Sequence, residues 1–407
     1  MKNKKTYIFI CITIANVGGA QLYMRNKLNY MQSKGWDIKV FSFDKSPIYI
    51  QELKKYKDGV IEGLKFPPYF FTKGQINKIV DRMAAMIEPS EEVVVECHAI
   101  MLSAWAELLA ERLNGRHILY SLDEKPRVYP FIRDYMDFKL SRDEFASITA
   151  NTVQLAYPQI QTIEEAEKHH LQAFCNNALE DVDDSYIDIR FEDGVRIGIF
   201  GRINKDYVQP MTKDLVNYIN KNTNTFFNVV FIGGTPYPKQ IDILKSMFAG
   251  VENAKLMFTG YLSPVPLNFM KKFDFFLASA GSAWATHNLN MLTVAIDGYN
   301  YKSNGVLGYQ AKSAIDAAEK QYELSETLDD IIKENKYPKL PPKEVIIDYD
   351  YWFVPHIEKL SKASSNPKMY YGIDNYRLNK RYIVIRIFTK LLGPTLSSRI
   401  KDILYQK

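Results

Sequence analysis

Tyr7-Ile8-Phe9-Ile10-Cys11-Ile12-Thr13-Ile14, then Gly18-Gly19-Ala20, then Met24, Leu28 and Met31 settle the architecture of this chain. The first eight residues are almost continuously apolar, which predicts a strand covered on both faces. Gly18-Gly19 interrupts it. Met24, Leu28 and Met31 recur at helical spacing, and Gly35 stands where a helix would end. Ile38, Val40 and Phe41 open the next strand. Strand, helix and strand in this order make a βαβ unit, which implies a parallel sheet with right-handed crossovers.

The same rhythm continues outward. Val93-Val94-Val95 reads as a short buried strand, and Leu102, Ala106, Leu109 and Leu113 as a helix stripe. Gly115 ends that helix, and His117–Ser121 is the next strand. Ser141–Asp193 is more polar and acidic, so a domain boundary is expected near Glu180–Asp193. A second series follows. Its expected strands are Val195–Phe200, Val229–Ile232, Leu256–Thr259, Phe273–Ala278 and Leu292–Ile296. Helices are expected around Leu215–Ile219, Ile241–Phe248 and Leu267–Lys272. The fold class is therefore α/β, with two Rossmann-like, doubly wound parallel-sheet domains over residues 1–190 and 191–350. Residues 351–407 form a C-terminal segment.

The chain has 407 residues, 46% hydrophobic and 24% charged, which excludes disordered, collagen-like and disulfide-scaffold classes. Cys11, Cys97 and Cys175 are too scattered for a metal site and suit a reducing cytosol. No apolar run reaches the roughly 18–20 residues of a transmembrane helix. The early lysines lack the apolar core and cleavage site of a signal peptide, so a cytosolic first strand is expected. The net charge of +5 is uneven. Ser361–Lys407 carries ten Lys or Arg against two acids, a surplus of +8 that leaves −3 on the rest. Within it, Tyr382–Leu392 interleaves cations with Ile, Phe and Leu. That suits an anionic membrane surface better than nucleic acid, the alternative being a packed tail with solvated charges.

In open parallel sheets, ligands bind beyond the carboxyl ends of the strands. Gly18 and Gly19 lie there, as a close-approach site for an anion or hydroxyl or as a plain tight turn. Arg202 and Lys205 follow the first strand of the second series. They suit a diphosphate, or are a solvated surface pair. Glu96, His98, Asp123 and Glu124 follow two strands of the first series. His98 reads as a base, a donor or a satisfied core residue, and Asp123 as a hydroxyl-orienting group or a cap. Ser279–Asn288, including Ser282, His287 and Asn288, is a small polar segment fit for phosphate or sugar, or a turn. Tyr301–Tyr309, with Ser303, is a second such loop. His169-His170 lacks metal-ligand partners. No Walker, paired-cysteine or Gly-x-Ser-x-Gly motif is present.

Taken together, these residues resemble nucleotide-sugar glycosyltransferases of the GT-B fold, nearest to the retaining family that builds bacterial surface polysaccharides. Gly18-Gly19-Ala20 before an amphipathic helix matches a common opening of that family. Arg202 and Lys205 match its donor-diphosphate motif. Asn253–Ala278, with Gly260 and Asp274, resembles its strand–Gly–helix–Asp–strand stretch. Asp350-Tyr351-Trp352 before a helix resembles its crossover helix, which returns to the first domain. The resemblance covers residues 5–360 and implies two domains facing a cleft.

Two departures stand out. The family usually has two glutamates, seven residues apart, after the strand equivalent to Phe273–Ala278, whereas Ser279–Asn290 contains no acid. Its usual histidine after the strand at His117–Ser121 is replaced by Leu122-Asp123-Glu124. Donor orientation then falls to Ser282, His287 and Asn288, or the protein does not catalyse.

The implied activity is sugar transfer from a nucleotide diphosphate sugar to a lipid-linked or polysaccharide acceptor, with no metal or cofactor. His98 and Asp123 are the expected catalytic residues. Gly18, Gly19, Arg202, Lys205, Ser282, His287, Asn288 and Ser303 are the expected substrate contacts. The expected location is the cytoplasmic face of the cell membrane, held through the basic tail. A non-catalytic partner subunit is the alternative, and a sugar-nucleotide epimerase a third.

Overall fold

The computed structural model describes residues 4–175, 179–314, 320–338, 341 and 347–405. Its first sheet contains β1 (Lys5–Ile10), β2 (Asp37–Phe41), β3 (Glu92–Cys97), β4 (Arg116–Ser121) and β5 (Phe145–Ser147). The strands are all parallel, in the order β2-β1-β3-β4-β5. Successive residues of a strand point to opposite faces. Accordingly Ile8 and Ile10 enter a core with Trp105, Leu109 and Met83, while Tyr7 and Phe9 enter another with Leu28 and Met31. Covering both faces is what made the strand read as continuously apolar.

β1 stops at Ile10, earlier than the apolar run to Ile14 suggested. Its neighbours end in register with it, Ile10 pairing with Phe41 and Cys97, so no ladder is left for Cys11–Ile14. Thr13 Oγ1 instead accepts from the Ala15 amide at 2.8 Å and turns the chain toward Gly18.

The second sheet lies further along. β6 (Leu179–Glu180) is a two-residue strand outside it. β7 (Val195–Phe200), β8 (Phe227–Ile232) and β9 (Ala254–Phe258) follow, then β10 (Val265–Pro266), which pairs with β6. β11 (Phe275–Ala278), β12 (Thr293–Ile296) and β13 (Ser303–Val306) complete a sheet of order β13-β12-β11-β7-β8-β9. Only β13 runs antiparallel to its neighbour. The Tyr301–Tyr309 stretch is thus partly an edge strand rather than a polar loop. Its four strand residues are all buried, a pattern that two glycines and a lysine in the segment conceal.

Helix Tyr349–Ser365 returns from the second sheet to the first. Its Asp348 side chain caps it by accepting from the Tyr351 amide at 3.1 Å. Tyr30 of helix Gly19–Ser33 donates to Asp350 at 2.8 Å, and the Tyr30 and Phe353 rings lie 5.2 Å apart. Beyond it the chain crosses the first sheet's starting edge, where Arg116 donates to the Asn366 carbonyl at 2.8 Å. It ends in helix Lys380–Tyr405, kinked at Gly393, whose φ of 73° breaks the helical run. Lys407 and the side chains of Arg381 and Asp402, all counted in the basic tail, lie outside the described residues.

Candidate active site

The carboxyl ends of β1 and β7 face each other. After β1, helix Gly19–Ser33 begins at Gly18, whose backbone is extended and which offers no side-chain cap. The first amides of that helix have no partner within it, and its positive dipole end points outward. After β7 comes Gly201, with φ of 139°. A side chain on Gly18 would come within 3.5 Å of Arg202 Nη1, so the guanidinium sits against the helix terminus of the other domain. Among the described residues its side chain forms no ion pair and no hydrogen bond. A cation held against the positive end of a helix, with no protein acid beside it, is a place for an anion.

The loop bearing Arg202 is fixed by glycine. Gly233, at the end of β8, has φ of 145°, and a Cβ there would lie 2.1 Å from the Gly201 carbonyl oxygen. No other residue type fits this approach. Lys205, on the same loop, reaches Glu124 of the first domain at 4.0 Å. Ser282 joins them, its Oγ 3.3 Å from where a Cβ on Gly201 would stand. Gly18, Gly19, Arg202, Lys205 and Ser282 therefore converge.

The other expected contacts do not. His287 and Asn288 close helix Ala280–His287, whose first turn holds Ser282. At about 1.5 Å per residue, His287 is roughly 7–8 Å along the axis from Ser282. It packs instead on Gly308, where a Cβ would come within 2.5 Å of its ring. Asn288 is the helix C-cap, its amide bonded to the Trp284 carbonyl at 2.9 Å. Ser303 is buried in the edge strand, its Oγ accepting from the Gly305 amide at 3.0 Å and lying 3.2 Å from Thr327 Oγ1. Asp274 Oδ2 accepts from the Arg196 amide at 2.8 Å, clamping the start of β7 at the edge opposite the cleft.

His98 and Asp123 share a place in the backbone but not an environment. The Leu122 amide donates to the His98 carbonyl at 3.2 Å. The His98 ring, however, points into the domain, where Nε2 meets Glu96 Oε1 at 2.9 Å. Glu96 also accepts from Tyr7 at 2.6 Å, from Tyr23 at 3.0 Å and from Lys27. His356, from the returning helix, brings Nδ1 to 3.2 Å from Lys27 Nζ. His98 is thus part of a buried network under the helix terminus, not an open cleft base. Burial alone would raise the Glu96 carboxyl, but Lys27 and then His98 outweigh it and hold it well below its usual range. Asp123 is exposed on the rim. Partial desolvation, then the neighbouring charge of Glu124, push its carboxyl up against a smaller pull from Arg127.

Burial, followed by the Lys27 charge, pushes the His356 imidazole down to about 3. An unfolded chain takes up that proton near pH 6.5, whereas the folded chain does not until near pH 3. Stability from this group is therefore complete above about pH 6.5 and falls with acid, by about 2 kcal/mol at pH 5. Melting temperature followed from neutral to mildly acidic pH should fall for the native chain and fall less for His356→Asn.

Several cleft residues carried no readable signal. Tyr49 and Tyr261, one from each domain, place their rings 4.6 Å apart. The Tyr261 hydroxyl and Asn204 Oδ1 are buried with no hydrogen-bond partner among the described residues. Cys175 lies beneath Gly19, its Sγ 3.7 Å from a would-be Cβ. Burial pushes its thiol up to about 12, which makes it a poor nucleophile. Free aromatics and a lone thiol have no spacing rule, so only the folded chain reveals them.

No family model and no curated protein sequence matches the chain. Solved structures similar to it include a glycosyltransferase from Rickettsia africae, at 10% identity over 99% of this chain and 98% of that one, TM-score 0.49. The lipopolysaccharide outer core galactosyltransferase WaaB is similar at 10% identity over 94% and 99%, TM-score 0.44. UDP-GlcNAc 2-epimerase from Neisseria meningitidis, bound to UDP-GlcNAc, is similar at 12% identity over 88% and 100%, TM-score 0.43.

Proposed function

We propose that this chain is a GT-B glycosyltransferase of bacterial surface glycan synthesis. It moves a sugar from a nucleotide diphosphate sugar to a lipid-linked or polysaccharide acceptor at the cytoplasmic face of the membrane. The observation that carries this reading is the Arg202 guanidinium, without an ion pair among the described residues, against the open terminus at Gly18. In this reading Arg202, Lys205 and the first helix amides hold the diphosphate. They stabilise the charge that grows on it as the bond to the sugar breaks. The acceptor oxygen attacks the anomeric carbon, the sugar–phosphate bond breaks, and the hydroxyl proton passes to Asp123. The raised carboxyl of Asp123 suits that role.

The test is calorimetry against a panel of nucleotide diphosphate sugars, followed by a transfer assay with membrane lipid extract. Binding of one donor with transfer is expected, and no binding across the panel overturns the reading. Asp123→Asn should lower turnover by about 100-fold or more while donor affinity is kept. Wild-type turnover would remove Asp123 from the chemistry. The absence of any acid in Ser279–Asn290 favours one other reading, a non-catalytic subunit. Donor binding with neither transfer nor hydrolysis would establish it.

A further inference from the structure

Helix Lys380–Tyr405 is built inside out. Thr389 and Ser398 face the protein: Thr389 Oγ1 donates to the Phe70 carbonyl at 2.8 Å, and Ser398 Oγ to the Glu62 carbonyl at 2.8 Å. Thr389, Ser397 and Ser398 are buried. Ile385 and Tyr382 pack on the core, but most of the helix's large apolar residues face outward. Leu391 is 79% exposed, Phe388 60%, Ile387 54% and Val384 53%, with Ile383, Leu392, Leu396 and Ile400 exposed beside them. Before the kink at Gly393, Ile383, Val384, Ile387, Phe388 and Leu391 recur every three to four residues and so form one face. A surface helix ordinarily turns such a face to its own core.

The charge around this face is mostly positive, with Glu62 and Asp374 as the nearby acids among the described residues. Lys380, Arg386, Lys390 and Lys401 form no ion pair among the described residues, and Arg399 reaches only Glu62, at 4.0 Å. Beneath the helix, Arg386 and Lys390 line a cavity of about 230 Å³ with Thr72 and Lys73, whose ammonium is held by Asp374 at 2.8 Å. Arg386 Nε is buried there without a hydrogen-bond partner among the described residues. An outward apolar stripe flanked by unpaired cations is the pattern of a helix lying in a bilayer interface. No helix among the described residues is long and apolar enough to cross a membrane.

We propose that the outward face of helix Lys380–Tyr405 docks on a bilayer containing anionic phospholipid. Ile383, Val384, Ile387, Phe388 and Leu391 enter the acyl boundary, and a headgroup phosphate sits at Arg386 and Lys390. Tyr382, at the start of the helix, lies 4.7 Å ring to ring from Phe131, and Phe131 stacks on Tyr129 at 5.6 Å. These rings tie the inward side of the helix start to the loop that follows Asp123. For its purpose, though not for its geometry, this rests on the lipid-linked acceptor reading.

The test is flotation of the full chain with phosphatidylcholine vesicles, with and without phosphatidylglycerol, at low and high salt. Nucleotide diphosphate binding is measured in parallel, so a failed donor reading is distinguishable from failed docking. The native chain should float with phosphatidylglycerol vesicles at low salt and much less at high salt. Phe388→Glu with Leu391→Glu should weaken flotation at least about tenfold, because two buried apolar side chains are lost. Both positions are exposed, so melting temperature should hold. Arg386→Gln with Lys390→Gln should lose the preference for phosphatidylglycerol. Equal flotation of native and Glu-substituted chains overturns the proposal, as does equal binding to neutral vesicles at every salt. Self-association through this face without vesicle binding overturns it too.

Discussion

Lys27→Met is expected to destabilise the fold by about 3–5 kcal/mol, the usual cost of removing one member of a buried ion pair. Lys27 and Glu96 are both almost fully buried, and Glu96 accepts from four side chains at once. Without the ammonium, a carboxylate is left in the core with only neutral donors and a histidine. Glu96 then takes up a proton near neutral pH or the domain opens. Chemical unfolding monitored by intrinsic fluorescence reads the loss directly. Adding Glu96→Gln to Lys27→Met should recover a large part of it, because the stranded charge is gone. A single substitution that unfolds like the native chain would mean that water reaches this cluster.

Arg202→Ala is expected to weaken nucleotide diphosphate binding by about 1.5–3 kcal/mol, roughly 10- to 150-fold. Among the described residues the guanidinium makes no ion pair and no hydrogen bond, and it sits against the helix terminus at Gly18, so its removal costs binding without uncovering a paired acid. Lys205→Ala should cost less, because its side chain is 40% exposed and already shared with Glu124. Calorimetry with the same donor separates the two. Unchanged affinity in Arg202→Ala, with the melting temperature kept, would move the diphosphate elsewhere in the cleft.

The strands that carry the site were legible because their side chains are apolar on both faces. Val195–Phe200 runs over the residues the pattern indicated, and so does the core of Glu92–Cys97. β5 was hidden because it is three residues long within a polar stretch, and β13 because three of its four residues are Ser303, Asn304 and Gly305. The position of Arg202 past a strand end was readable from the strand itself. Lys27 was not readable as a core residue. It lies in the same helix as Met24, Leu28 and Met31, and a lysine on an amphipathic helix is ordinarily solvated. Its burial depends on Glu96 from β3 and His356 from the returning helix.

Local sequence pattern indicated two largely parallel sheets in series, a glycine turn at Gly18 before a helix, and the cations at Arg202 and Lys205 past a strand end. These follow from local periodicity and from the rule that strand ends present loops. The pattern did not indicate the antiparallel edge strand β13. Tertiary structure alone decided that Arg202 meets Gly18, that His98 turns inward to Glu96, and that His287 stands at the far end of its helix from Ser282. It also decided which face of the last helix is left outside. Periodicity says that a helix has an apolar face. Where that face points depends on what the rest of the chain packs against it.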